Sequence, residues 1–292
     1  MIEHKVQTAD GRTLAVEDDG DPGGRPVLVQ LGTPNSRHLY GPNVIDAAAR
    51  GLRLIAWDRP GYGGSTPQPG RTVASVAADA RTICEELGVG PVAMWGISGG
   101  GPHVLACAAL LPDLVVAAAS LASPAPYPAD GIDWFDGMGQ TNADDFRLML
   151  SGDEAAARAM VDEERAGLMA ATPADLASEL TSLLTPTDAA VLTGDVAEYL
   201  VYSSREGLAP GSEGFWGDSW ASCHPWGFDL ADISVPVLVM HGRQDQFVPF
   251  GHGEWLARHI PGVEARLLDH DGHLTLLAHR IGEVHSWLAE YL

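Results

Sequence analysis

Short apolar runs alternate with stretches of helical spacing along the first third of the chain. Pro26 to Gly32 (PVLVQLG), Leu52 to Asp58 (LRLIAWD), Pro91 to Gly96 (PVAMWG) and Leu114 to Ala122 (LVVAAASLA) are each nearly continuous in apolar residues. Such runs suit strands buried on both faces. Val44 to Arg50, Val73 to Leu87 and Pro102 to Leu111 lie between them and suit helices. Ahead of them, KVQTADGRTLAVED reads as two strands about an Asp10-Gly11 turn, a strong hairpin signal. The rhythm changes at SPAPYPADG (Ser123 to Gly131), and from there to about Trp226 the chain is rich in Ala, Asp and Glu with helical periodicity. VPVLVMHG (Val235 to Gly242) and EARLLD (Glu264 to Asp269) then resume the strand pattern. Strand, helix and strand in alternation imply a parallel sheet wrapped by helices. The expected organisation is an α/β core over 1–126 and 227–292, with a helical insertion over 127–226.

Composition narrows the function classes. The chain has 292 residues, 46% of them hydrophobic, which is enough for a large core. Its 17 basic and 39 acidic residues give a formal charge of −22, which repels nucleic acid and anionic lipid. Lys5 is the single lysine, so neither a Gly-Lys-Ser/Thr phosphate loop nor an internal Schiff-base lysine is available. Cys84, Cys107 and Cys223 form no disulfide framework, and the first two fall in apolar helical patterns as buried thiols do. The charged N-terminus and the break at Pro112 and Asp113 argue against a signal peptide or a membrane span. A cytoplasmic protein is expected.

GISGGGP, from Gly96 to Pro102, carries the chemistry. Gly-x-Ser-x-Gly between a strand and a helix makes a sharp turn that lifts the serine hydroxyl above the sheet edge. The flanking glycines avoid collisions, and Gly99 N–H lies at a helix start, where an anion is favoured. A serine nucleophile needs a base, and the base needs an orienting carboxylate. Asp245 follows the strand ending near His241, and His273 follows the strand Glu264 to Asp269 by four residues. Both therefore emerge at the sheet edge that presents Ser98, where ligand sites of open α/β sheets collect. His270 lies closer to its strand end and is expected to face solvent. Asp269, His270, Asp271 and His273 lack the second ligand group at recognised spacing that a metal site requires.

These segments resemble the α/β-hydrolase superfamily over nearly the whole chain. LGTPNSR resembles its oxyanion loop, WDRPGYGGS the next strand and loop, GISGGG the nucleophile elbow, and MHGRQDQFVP and DHDGH the acid and histidine segments. The resemblance implies a mostly parallel eight-stranded sheet flanked by helices, with an inserted helical cap. It implies Ser98, Asp245 and His273 as nucleophile, acid and base, in the family's chain order. The backbone N–H groups of Thr33 and Gly99 are implied as the oxyanion hole. One departure is Leu31-Gly32, where the family commonly has His-Gly. Asp58 and Arg59 are read as bracing the loop.

Trp134, Phe135, Met138, Trp216 and Trp220 are the candidate pocket residues of the cap, whose aromatic and Met content suggests a dry, adaptable cavity. The expectation is a serine hydrolase of a hydrophobic ester or lactone, with a small-molecule substrate and without cofactor or metal. A homodimer stays open. The rivals are a proline-iminopeptidase-like enzyme holding a substrate amine through cap carboxylates such as Glu206 or Glu213, a cofactor-free haloperoxidase or carbon–carbon hydrolase, and a ligand-binding protein with a weak hydrolase site.

Overall fold

In a computed structural model describing residues 1–292, the apolar runs join in one eight-stranded sheet. The strands are β1 (Ile2–Gln7), β2 (Thr13–Gly20), β3 (Arg25–Gln30), β4 (Leu52–Trp57), β5 (Val92–Ile97), β6 (Val115–Leu121), β7 (Val237–Gly242) and β8 (Glu264–Leu268). Their spatial order is β1-β2-β4-β3-β5-β6-β7-β8, and β2 alone runs against its neighbours. Alternation splits β5 between two cores, as the two-residue period of a strand requires. Val92 and Met94 enter one apolar cluster, and Ala93, Trp95 and Ile97 enter the other.

The helices of the core are α1 (Gly41–Ala49), α2 (Val76–Leu87), α3 (Gly101–Leu110), α10 (Phe250–His259) and α11 (Ile281–Leu288). Between β6 and β7 the chain inserts α4 (Gln140–Leu150), α5 (Glu154–Ala170), α6 (Leu176–Glu179), α7 (Pro186–Val191), α8 (Gly194–Leu208) and α9 (Glu213–Ser222). The helix read over Val73 to Leu87 divides into a 3₁₀ turn at Val73–Ser75 and α2 proper. The division has a local cause: Ser75 Oγ accepts from Thr72 N at 3.0 Å, and Ala74 N donates to Trp226 O at 2.8 Å instead of entering a longer helix. Helix α1 starts at Gly41, three residues before the expected start, with Pro42 in its first turn, where a missing N–H costs little. All three cysteines are buried free thiols, and burial pushes the Cys84 and Cys223 thiols up to about 12. No helix is long and apolar enough to cross a membrane.

The strand order places the site. From β3 the chain moves outward to β4, and from β5 it moves the other way to β6, so the direction reverses between β3 and β5. The loops after these two strands part at that point and leave a crevice at the carboxyl edge. Thr33 follows β3 and Ser98 follows β5.

Candidate active site

Ser98 closes β5 with φ +55°, one of two non-glycine residues at positive φ. That conformation costs an L-residue about 1–2 kcal/mol and persists only where its surroundings impose it. The surroundings here leave no alternative. A side chain at Gly96 would meet Gly100 O at 2.5 Å, and one at Gly100 would strike Gln30 O. With both flanks pressed backbone to backbone, the turn projects the serine outward, and α3 begins three residues later with Pro102 in its first turn.

Asp245 and His273 are joined. Asp245 is buried, and its Oδ1 accepts from Phe247 N and Val248 N, both at 2.8 Å. This fixes the carboxylate plane and leaves Oδ2 to accept from His273 Nδ1 at 2.7 Å. A proton on Nδ1 leaves the Nε2 lone pair free, the tautomer a general base needs. Burial pulls the His273 pKa down, but the charge and hydrogen bond of Asp245, with Asp188 beyond, outweigh it and the net shift is upward. The Phe247 ring stacks on the imidazole at 4.6 Å between centroids. His241, 3.5 Å from Asp245 Oδ2, donates through Nε2 to Val248 O at 2.8 Å, and burial lowers its pKa. Ser98 and His273 line the same cavity without a mutual hydrogen bond; such contacts commonly close only when substrate is bound.

His270 is exposed, as its position suggests. The acids around it are spoken for: Asp269 pairs with Arg243 at 2.7 Å, and Asp271 with Arg280 at 2.9 Å.

Thr33 and Gly99 face each other. A side chain at Gly99 would run into Thr33 Oγ1 and stand 3.3 Å from Thr33 N. Arg59 orients the Gly32–Thr33 peptide. Its guanidinium donates to Leu31 O at 2.6 Å and Gly32 O at 3.3 Å. Because a trans peptide holds its C=O and N–H in opposite directions, fixing Gly32 O on Arg59 aims Thr33 N–H away from it. The Leu31 side chain packs into the core, so this support comes from the backbone carbonyls of Leu31 and Gly32 and not from a side chain at residue 31. Asp58 braces the neighbouring loop, accepting from Arg37 N at 2.6 Å, the Arg37 guanidinium at 2.7 Å and Gly64 N at 2.9 Å.

Sequence reading missed what holds Arg59. Asp218 of α9 is buried and accepts from Arg59 and Arg71, each at 2.6 Å, from Thr33 Oγ1 at 2.7 Å and from Tyr62 Oη at 3.0 Å. Burial opposes its charge, yet the two guanidinium groups hold its carboxyl well below the usual range. The loop after β3 and the insertion therefore meet on one buried carboxylate.

Two spaces open beside Ser98, and Thr33 and Phe247 line both. A cavity of about 640 Å³ is lined by Thr33, Ser98, Gly99, Trp134, Met138, Phe146, Met149, Met160, Phe215 and Phe247, with Asp145, Glu163, Glu164 and Glu179 on its walls. A smaller one of about 140 Å³ lies against Leu31, Ile97, Leu168, Leu176, Leu200, Leu274, Leu277 and His273. Neither lining contains an arginine or lysine.

Of the five pocket candidates, Trp134 and Met138 line the cavity, and Phe135, Trp216 and Trp220 do not. Phe135 packs on Trp134 and takes the Arg147 guanidinium over its ring. Trp216 is buried against Trp220 under Arg158, and Trp220 stacks on His224. Trp216 and Trp220 belong to a small apolar cluster of the insertion, and Phe135 packs at the edge of the large cluster under the sheet. Glu206 and Glu213 lie outside both spaces and are about half exposed, near His38 and Arg158.

Comparison with known proteins agrees with the fold. A family model for the α/β hydrolase fold matches residues 25–279. A non-heme chloroperoxidase of Streptomyces lividans is 29% identical over 247 residues, covering 84% of this chain and 83% of its own. A bifunctional esterase/perhydrolase of Acinetobacter calcoaceticus is 27% identical over 250 residues, with 84% and 83% covered. Among solved structures, a thermophilic esterase from Thermogutta terrifontis superposes with a TM-score of 0.71 at 24% identity, over 100% of this chain and 99% of that one.

Proposed function

The chain belongs to the α/β hydrolase family, and we propose that it is a serine hydrolase cleaving carboxylic esters or lactones of apolar, uncharged small molecules through an acyl-enzyme. The observation that carries this reading is the 2.7 Å Asp245–His273 hydrogen bond beside a strained Ser98, with the Thr33 and Gly99 backbones face to face across the same crevice. His273 Nε2 takes the Ser98 proton as Oγ attacks the substrate carbonyl. The oxyanion that forms is held by the two backbone N–H groups. The proton then passes to the departing alkoxide, and water activated by the same imidazole releases the acid and restores Ser98.

The cavity's lining sets the substrate's character. Aromatic and Met walls favour apolar groups, and acidic side chains with no arginine or lysine in the lining oppose an anion. Desolvating like charges against one another costs several kcal/mol, so anionic substrates are disfavoured. The Acinetobacter relative's name joins esterase and perhydrolase activity, which accords with attack by water, or by a peroxide in its place, on one acyl-enzyme.

A second reading rests on Asp145 and Glu164, which share the cavity wall. Burial, then hydrogen bonding with Asp145, raises the Glu164 carboxyl pKa, and no protein cation neutralises the pair within the lining. Such a wall would accept a substrate ammonium, as an aminopeptidase needs. A panel of neutral nitrophenyl esters and lactones, an anionic dicarboxylate half ester and an N-terminal prolyl amide separates the readings. Neutral esters are expected to lead the half ester in kcat/KM by at least about tenfold. Preference for the half ester would contradict the ester reading, and preference for the amide would replace it with the second.

A further inference from the structure

Asp188 lies in α7 of the insertion, far from the histidine loop in sequence, and is fully buried. Its carboxylate takes three successive backbone donors from that loop. His273 N donates to Oδ2 at 2.8 Å, and Leu274 N and Thr275 N donate to Oδ1 at 2.8 and 3.2 Å. These N–H groups open the helical segment that continues as a π turn over Leu276–Arg280 and then as α11. The first N–H groups of a helix have no partner within it and are ordinarily satisfied by a nearby cap residue. Here the partner crosses from the insertion.

Two further contacts show how closely the loop is gripped. A side chain at Gly272 would strike the Asp188 carboxylate, so the two are pressed together without room for a methyl group. Leu274, the residue after His273, is buried among Leu176, Leu192, Ala197 and Val201 of the insertion. On its other side the imidazole meets Asp245 and the Phe247 ring.

We propose that Asp188 is a positioning residue through which the insertion sets His273, so that the base reaches its working orientation only when α7 is seated on residues 272–275. The proposal rests on His273 being the general base. Asp188 touches no reacting atom. It fixes the backbone from which the imidazole projects, and its charge favours the imidazolium formed during attack. The titratable groups facing His273 are Asp245 and His241 from the β7 side and Asp188 from α7. Removing the Asp188 charge therefore makes His273 easier to deprotonate.

The test compares Asp188→Asn, Gly272→Ala and the double variant in nitrophenyl ester kinetics over pH, with urea unfolding alongside. Asparagine keeps one acceptor for Leu274 N but turns an N–H₂ group toward His273 N. Alanine at 272 displaces the carboxylate by contact. Each single variant is expected to lower kcat on the order of 10- to 100-fold with little change in KM, the cost of a slightly misplaced catalytic group. In Asp188→Asn the acidic limb of kcat/KM should also move to lower pH. The double variant should be no slower than the worse single variant, because both act on one contact. Loss of stability with kcat and the acidic limb unchanged would overturn the proposal, as would fully multiplicative losses in the double variant. If wild type itself showed no Ser98-dependent hydrolysis, the hydrolase reading would fail first, and that outcome is visible before any variant is made.

Discussion

Asp245→Asn should lower kcat by about four orders of magnitude while leaving the fold and KM nearly unchanged. The size follows from how the carboxylate is already committed. Oδ1 accepts two backbone N–H groups, from Phe247 and Val248. An asparagine must place its carbonyl oxygen there, since its amide nitrogen would oppose two donors. That choice turns the N–H₂ group toward His273 Nδ1, which can then only accept. The imidazole proton moves to Nε2, and the atom that should take the Ser98 proton already carries one. Packing hardly changes, because the two side chains have the same shape. Steady-state kinetics on a neutral nitrophenyl ester, with KM and urea unfolding measured on the same preparation, reads each part separately. A loss of less than about tenfold would mean that His273 is not oriented by Asp245 during turnover.

Asp218→Ala should destabilise the protein by about 3–5 kcal/mol, the cost of stranding buried charge when one partner of an ion pair is removed. Arg59 and Arg71 are both nearly inaccessible and converge on this one carboxylate, so the variant leaves two guanidinium groups buried beside an apolar methyl. Surface pairs elsewhere, such as Arg81 with Asp113, should matter far less, because solvent screens them. Activity should suffer beyond what unfolding explains, because Thr33 Oγ1 loses its acceptor and Arg59 loses the anchor that holds it on Gly32 O. Equilibrium urea unfolding checks the first expectation. Rates measured well below the unfolding transition check the second. A stability change under 1 kcal/mol would show that the arginines find other partners.

Much of this was legible in the chain, for identifiable reasons. Apolar runs of strand length mark the sheet because a strand covered on both faces has no polar alternative. Ser98 and Asp245 follow such runs, and His273 follows the mixed edge strand β8, so reading the strands also reads the edge where the three side chains emerge. The insertion resisted. Helical periodicity says that a face is apolar but not which neighbour covers it, and so Phe135, Trp216 and Trp220 looked like pocket residues equal to Trp134 and Met138. Asp188 and Asp218 were hidden among 39 acidic residues. Thr185-Pro-Thr-Asp188 reads as a helix start, which makes Asp188 look like a local cap residue. Asp218 had a fainter signal. Gly214 and Gly217 sit inside a helix that glycine weakens, and side chains there would collide with Gly61 and with Arg71. Glycines spaced along one helix point to a close approach, and the carboxylate beside them completes it.

The measurement that bears most directly on the central claim is covalent labelling with a fluorophosphonate probe, read by intact mass and peptide mapping, on wild type and Ser98→Ala. Stoichiometric modification of wild type at Ser98, absent from the variant, is the result predicted from a strained serine beside an Asp245-oriented imidazole. A folded wild type that takes up no probe, or one labelled equally in Ser98→Ala, would contradict it.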